Sequence, residues 1–452
     1  LLSVGPVRAQ RSAWDGSVSV RGLASTGSNM PFWLRANQYG TVDSTSANGI
    51  VRLAAARSFG LGPASVEVGG ALLGRASAHA SLHAHEWYAR LQYRDLWLQA
   101  GQREEPPTGL SDPTLSLGSM GRSRNAPPLP KIAIGSDSYL SVPGTNDVLA
   151  VKGYLAHGWF PDDRYVRGPY LHEKYAYLRI FSRDAPIQLH AGGLQHTIWG
   201  GVHPTLGAQP ADFGAVLRVF GGLSGSQEAP ERDQKGTIGA TEAGYDFAIT
   251  AQRFGWEARI SRYFHHTDKP SLYFRNPWDG LWEVRLQRPD TTALLTTVLW
   301  EHLSATRHNA KYSQGQTRGE DSYYNNGAYR SGWTYRGFTL GSPLLLTNPT
   351  GPGVHNNIVL AHHVALQGYL HPELRYTIMG TYSRHYGAQS ICPTPSCSTL
   401  VNDRTGRTDQ YSGLVRFTHS MPPLTVRTAL SADLGALFED RVGVSVGLTW
   451  SL

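Results

Sequence analysis

Along the stretch Arg441 to Leu452, apolar and small residues take strict turns. Val442, Val444, Val446, Leu448, Trp450 and Leu452 hold the even positions, and Gly443, Ser445, Gly447, Thr449 and Ser451 the odd ones between them. Side chains alternate across a strand, so this is a ribbon with one wholly apolar face and one small, polar face. A strand on a soluble core shows the same alternation, but it is usually only about five or six residues long. Here the alternation runs for about eleven residues without a break, the length a tilted strand needs to cross a bilayer. The pattern predicts a membrane-crossing strand whose even positions meet lipid.

The same period of two recurs upstream. It is seen at Val66, Val68 and Leu72, at Trp87, Ala89 and Leu91, and at Tyr175, Tyr177 and Phe181. It returns at Thr292 to Trp300, Ile358 to Leu366, Leu374 to Ile378, Tyr411 to Phe417 and Leu424 to Leu434. The turns around Pro289, Pro372 and Pro422-Pro423 are short, whereas 382–410 and 302–331 are long and polar. That asymmetry is the one expected of periplasmic turns and external loops. Counting strands back from the C-terminal one leaves the map a strand short over 302–357, so an unseen strand or a loop folded into the lumen belongs there. Ile50 to Phe59 reads as either strand or helix. Phe213, Val216, Leu217 and Phe220 fall at i, i+3, i+4 and i+7, which predicts one short amphipathic helix.

Composition agrees with an all-β wall. Glycine is high at 50 of 452 residues and charged residues are low at 17%, with 22 Tyr and 12 Trp, against typical values of about 7% and about 25%. Small residues suit a lumen face and aromatic residues suit interfacial girdles. The mean hydropathy of -0.32 does not argue for a soluble protein, because alternation hides the apolar face of a barrel from any average. No run of 18 apolar residues exists, which excludes a helical membrane protein.

The formal charge of +7 suits an anionic partner such as lipopolysaccharide or an acidic glycan. Nucleic acid fits poorly, since lysine is sparse and the arginines are scattered singly. Cys392 and Cys397, the two cysteines, stand in a Pro-rich loop and are expected to staple it as a disulfide in an oxidising compartment. No further ligands stand at metal-binding spacing nearby, so no metal is expected. Val7-Arg8-Ala9 has the small-residue pattern that precedes a signal-peptidase cut. Residues 1–9 therefore read as a signal-peptide remnant and 10–452 as a single barrel domain. No zinc-protease helix or phosphate loop is present. Neither a catalytic residue nor a cofactor is expected. His362 and His363 must point to opposite faces of their strand and cannot act together.

A family resemblance rests on blocks spread along the chain. They are Pro31-Phe32-Trp33-Leu34-Arg35 through Asp43, Asn125-Ala126-Pro127-Pro128 through Ile132, His157-Gly158-Trp159-Phe160 and Leu171-His172-Glu173-Lys174. Further along come His196-Thr197-Ile198-Trp199-Gly200-Gly201, Asp279-Gly280-Leu281-Trp282, and Asp321 through Tyr329, Gly332-Trp333 and Gly341-Ser342-Pro343-Leu344. In this order and with the terminal strand, they resemble the capsule-assembly Wzi family. The resemblance implies a transmembrane antiparallel β-barrel of about 18 strands in the bacterial outer membrane. It also implies a helical bundle at the periplasmic mouth. The chain has little room for one before Pro31, so the plug is expected to be a small helical or loop element. The implied role is to hold or organise capsular or exopolysaccharide at the cell surface.

On that reading, Asn276, Trp278, Asp279 and Trp282, together with Asp321, Tyr323, Tyr324, Asn325, Tyr329 and Trp333, are candidates for contact with sugar. Aromatic rings stack on the C–H face of a pyranose while Asn and Asp bond its hydroxyls. The plain account of the same residues is a girdle and loop packing. Trp33, Arg35, Asn37, Gln38 and Tyr39 share that duality. The expected neighbours are polysaccharide, outer-membrane lipid and lipopolysaccharide, with the chain a monomer. The rival classes are an outer-membrane porin or transport channel and an outer-membrane hydrolase.

Overall fold

The computed structural model describes residues 14–452 apart from 228, 230–232, 235–236, 268–275, 311–318, 320 and 389–405. The leader remnant expected over 1–9 and the Cys392 and Cys397 pair lie outside the described residues.

Eighteen strands form the wall. In chain order they are β1 (Asp15–Asn29), β2 (Thr45–Leu61), β3 (Ala64–Ala76), β4 (Ser81–Tyr93), β5 (Leu96–Gln102) and β6 (Lys131–Ser136, continued by Leu140–Ser141). There follow β7 (Leu149–Trp159), β8 (Tyr170–Ile180), β9 (Ile187–Trp199), β10 (Ala240–Arg253), β11 (Trp256–His266) and β12 (Gly280–Gln287). The last six are β13 (Thr297–Ala305), β14 (Val359–His371), β15 (Leu374–His385), β16 (Thr408–Met421), β17 (Leu424–Gly435) and β18 (Arg441–Ser451). Each pairs antiparallel with the next, and β18 closes on β1 with Val20 opposite Leu448. Closure leaves no unpaired edge, as a sheet in hydrocarbon requires.

The alternation sorts side chains as the periodicity predicts. On β18, Arg441, Gly443 and Ser445 are buried inward, while Val442, Val444, Val446, Leu448 and Trp450 are exposed outward. His363 is buried toward the lumen and bonds Thr381 and the Leu115 carbonyl at 2.8 Å each. His362 projects outward, its ring 4.6 Å from that of His302. The ambiguous stretch Ile50 to Phe59 is strand, within β2. The alternation from Thr292 enters β13 only at Thr297, because Asp290 accepts hydrogen bonds from the Thr292 amide and hydroxyl and holds those residues in a turn. The strand count is also settled. Ser304 of β13 sits directly opposite Leu360 of β14, so no wall strand stands between them, and the described residues of 306–358 belong to a loop folded into the lumen.

Connections 62–63, 94–95, 254–255, 372–373 and 422–423 are two-residue turns at one end of the barrel, the periplasmic end by the usual asymmetry. The opposite, external end carries 30–44, 103–130, 160–169, 200–239 and 306–358. Two helices are described there, α1 (Phe32–Arg35) and α2 (Phe213–Gly221). The second is the amphipathic segment predicted. The Asp212 side chain caps its N-terminus, and Gly222 closes it in the left-handed conformation at φ 61.

A direct test of the facing assignment follows. Val446→Arg, on the lipid face, is expected to cost about 2–4 kcal/mol, and Val444→Arg to behave similarly. Thr449→Arg, which faces the wet lumen, is expected to be much milder. Equal losses of folding yield in all three would refute the assignment. Ser445→Arg is a poorer control than periodicity alone implies, because Ser445 is buried and accepts a 2.9 Å hydrogen bond from Arg21.

Candidate functional site in the plugged lumen

Three connections enter the barrel from its external end and pack on one another: 30–44, 103–130 and 306–358. Phe32, Trp33, Leu34, Leu115, Leu117, Met120, Leu129, Tyr323, Tyr324, Trp333 and Leu344 form one apolar core inside the wall. They pack on Leu299, Ala361, Ala365, Met379 and Leu414 from the strands. The segments are also cross-bonded. The Asn37 amide donates to the carbonyls of Ser116 and Leu117, Trp333 Nε1 donates to the Gly121 carbonyl at 2.6 Å, and the Tyr324 hydroxyl donates to the Met120 carbonyl at 2.6 Å. A Cβ added at Gly341 would stand 2.0 Å from the Tyr324 oxygen, so only glycine fits there.

The wall holds this plug by one repeated device, a carboxylate on a lumen-facing strand position that accepts a backbone N–H of the plug. Asp246 takes the amide of Leu110, Glu283 that of Asp112 and Glu301 that of Leu117, each at 2.7 Å. Glu242 takes Tyr324 at 2.8 Å and Asp433 takes Phe32 at 2.9 Å. Each of these bonds satisfies a loop amide that burial would otherwise orphan.

On the β6 to β9 side the link is ionic. The fully buried Glu173 carboxylate meets Arg122 Nε at 2.9 Å and Lys131 Nζ at 2.7 Å, with His196 Nδ1 at 3.2 Å. Glu105 shares both cations, at 2.7 Å for Lys131. Burial alone would raise the Glu105 carboxyl, but Lys131 and Arg122 outweigh it and hold it below the usual carboxylate range.

At the exit of the first segment, burial would likewise raise Asp43, but hydrogen bonds from Ser77, Thr45 and His79 and from the Ser44 amide bring it down to about 2. A depressed carboxylate stabilises the fold above its unperturbed value of 3.8 and loses that contribution as pH falls toward its folded value. Asp43→Asn is therefore expected to lower thermal stability at neutral pH, with the gap to the parent closing below about pH 4. A gap that persists unchanged at pH 2 would contradict this.

The ten residues proposed from sequence do not form one surface. Asp279 is fully buried and is a hub, accepting from the His308 amide at 2.7 Å, the Tyr323 hydroxyl at 2.8 Å and the Asn276 side chain at 2.8 Å. Tyr323, Tyr324, Tyr329 and Trp333 are buried within the plug. Burial and Asp279 push the Tyr323 phenol well above its ordinary range. Asp321 is half-buried and accepts from Thr267 and Asn309, and Asn325 bonds the backbone of Val354. Trp282 projects outward from β12 into the lipid-facing belt, and Trp278 is exposed beside it in sequence at the external rim. Trp33 and Asn37 are buried structural members as well.

A polar and aromatic patch lies instead where 160–169 meets 326–336, with Arg330 exposed and Tyr165 half-buried against the plug core. The Arg330 guanidinium sits 4.9 Å from the Tyr165 ring centroid, and Tyr165 lies edge-on to His203 at 5.4 Å. Arg164 fixes the two loops together through the Gly332 carbonyl at 2.8 Å and the Thr334 carbonyl at 2.5 Å. Sequence reasoning missed Tyr165 and Arg330. The only signal was the run Asp162-Asp163-Arg164-Tyr165 just after the His157 to Phe160 block.

Below the plug the lumen is basic on one side. Arg375, Thr418, Arg427, Gly447 and Arg21 stand in one cross-strand row, with Arg416 one pleat above. Arg21 reaches up to Gln38 of the plug at 3.1 Å.

Of the blocks behind the family resemblance, Trp33, Glu173, His196, Tyr324 and Trp333 meet in the plug and its anchors, whereas Trp159 and Trp282 face outward. No family model and no curated protein matches the chain. Among solved structures, the chain is similar to Escherichia coli Wzi, described as a carbohydrate-binding β-barrel involved in group 1 capsule assembly. Identity is 14%, 96% of this chain and 83% of that one are covered, and the TM-score is 0.59. It is also similar to Pseudomonas aeruginosa OccK5, at 9% identity, 97% and 98% coverage and a TM-score of 0.49. Another similar structure is P. aeruginosa OprD, at 10% identity, 98% and 96% coverage and a TM-score of 0.47. With its closed wall and outward apolar belt, the chain is an outer-membrane β-barrel of 18 strands.

Proposed function

We propose that this barrel is a non-enzymatic, lectin-like anchor of the Wzi kind that holds or assembles capsular or exopolysaccharide at the cell surface. The observation that supports this most is the plug itself. Loops bonded to the wall at many points make a rigid platform, and a rigid platform presents weak sugar contacts at little entropic cost. On its external face the exposed Arg330 lies over the half-buried Tyr165 ring, which sets a cation beside an aromatic edge. Such a pair stacks on a pyranose and attracts a uronic carboxylate. Single contacts are weak, and repetition along a polymer adds them. The likeness to a carbohydrate-binding barrel points the same way. In the parent organism, Tyr165→Ala with Arg330→Ala is expected to release surface polysaccharide into the medium while leaving the barrel folded. Unchanged retention in both the double variant and a deletion strain would defeat the proposal.

The basic row Arg375, Arg427 and Arg21 favours a second reading, an anion-preferring channel. Under it, the parent protein in planar bilayers would carry steady current, with a reversal potential set by the anion gradient.

A further inference from the structure

Helix α2 lies on the outside of the barrel, and it lies there inside out. Ala215 and Val219, its small face, pack against Trp199, Ile238 and Tyr170 of the wall and the following loop. Its larger stripe points away from the protein, with Phe213 75%, Val216 41%, Leu217 52% and Phe220 50% exposed, and Leu223 just beyond at 48%. A surface helix in water turns such a stripe toward the core.

The wall beneath explains the placement. On β9 the outward residues run Ile187, Leu189, Ala191 and Gly193 from the periplasmic end, and then turn polar at Gln195 and Thr197. Cross-strand neighbours extend the polar patch, with Lys174 opposite Gln195 and with His172 and Thr241 flanking Thr197. The seven residues from Ile187 to Gly193 rise about 20 Å along a strand, or about 15 Å along the normal at a tilt of about 40°, against an apolar band about 25 Å tall. On β18, by contrast, the outward face stays apolar from Val442 to Trp450. The belt therefore lacks about 10 Å over β8 and β9, while on β10 the outward face stays apolar as far as Ala243. The nine residues of α2 span about 13 Å.

The helix end also absorbs the polar groups of the patch. Gln195 Nε2 donates to the Val219 carbonyl at 3.1 Å and Lys174 Nζ donates to the Phe220 carbonyl. These are carbonyls that the last turn of a helix leaves unpaired, and a cation is favoured at that end. The His172 ring lies edge-on to Phe220 at 5.9 Å.

We infer that α2 is immersed in the acyl-chain region of the outer leaflet, where it completes the lipid-facing belt over a polar gap in the wall. Its occupant is hydrocarbon lipid, because the exposed stripe is continuous with the strand residues that already face lipid. The helix thus turns a stretch of barrel wall that lipid would reject into one that lipid wets. It also ties the external loop 200–239 to the membrane.

Spin labels at Leu217→Cys and, separately, Phe213→Cys test this in a chain carrying Cys392→Ser and Cys397→Ser, reconstituted in dimyristoylphosphatidylcholine vesicles. Labels at Val446→Cys and Thr350→Cys mark lipid and water. At both helix positions, the accessibility to oxygen relative to a water-soluble nickel chelate is expected to match Val446 and to exceed Thr350 several-fold. A ratio equal to that at Thr350 would overturn the inference. Dipolar broadening between labels on separate molecules would also overturn it, since the stripe would then be covered by a second copy.

Discussion

Glu173→Ala is expected to destabilise the barrel by about 3–5 kcal/mol, because removing one member of a buried ionic cluster strands its partners. Lys131 and Arg122 would be left with Glu105 alone, two cations against one anion, with Lys131 3% exposed. The loss should show as a lower unfolding temperature in detergent and, because these groups bind 103–130 to the wall, as easier opening of the plug. The double variant Glu173→Ala with Lys131→Met restores one cation to one anion. It is expected to cost clearly less than the sum of the single changes, since groups in one network are not additive. Additive costs would show that the cluster does not act as a unit.

The second large effect belongs to the centre of the plug. Trp333 is 2% exposed and is the largest of the fully buried side chains, with the His196 ring 5.6 Å away. Trp333→Ala is expected to cost about 3–5 kcal/mol through the cavity it leaves. Trp333→Phe keeps much of the packing but strands the Gly121 carbonyl, for about 1–3 kcal/mol. Chemical unfolding of the three proteins in the same detergent orders them as parent, Phe variant and Ala variant. A wild-type midpoint for the Ala variant would mean that Trp333 is not packed as described.

The wall was legible in the sequence because lipid enforces alternation along every strand. Val442 to Trp450 shows it, as does the opposite facing of His362 and His363. The plug was legible only as a deficit, the strand that could not be found over 302–357. Its residues misled for a physical reason. Tyr323, Tyr324, Trp333 and Asp279 have the composition of a sugar surface, and rings and carboxylates that bond each other look the same in sequence as those that await a ligand. A better signal lay in the strands. Glu283, Glu301 and Asp246 are acids at lumen-facing positions, and a buried acid there needs a partner, which the plug amides supply. The helix was legible in its period, but a period does not say whether its apolar stripe faces a core or a bilayer.

The central claim is that the lumen is closed by its own loops, which makes the barrel a platform. Planar-bilayer recording of the purified parent protein tests it most directly. Closure predicts no steady current at low voltage, with conductance emerging in Glu173→Ala as the plug loosens. A large, stable, ohmic current through the parent would contradict it.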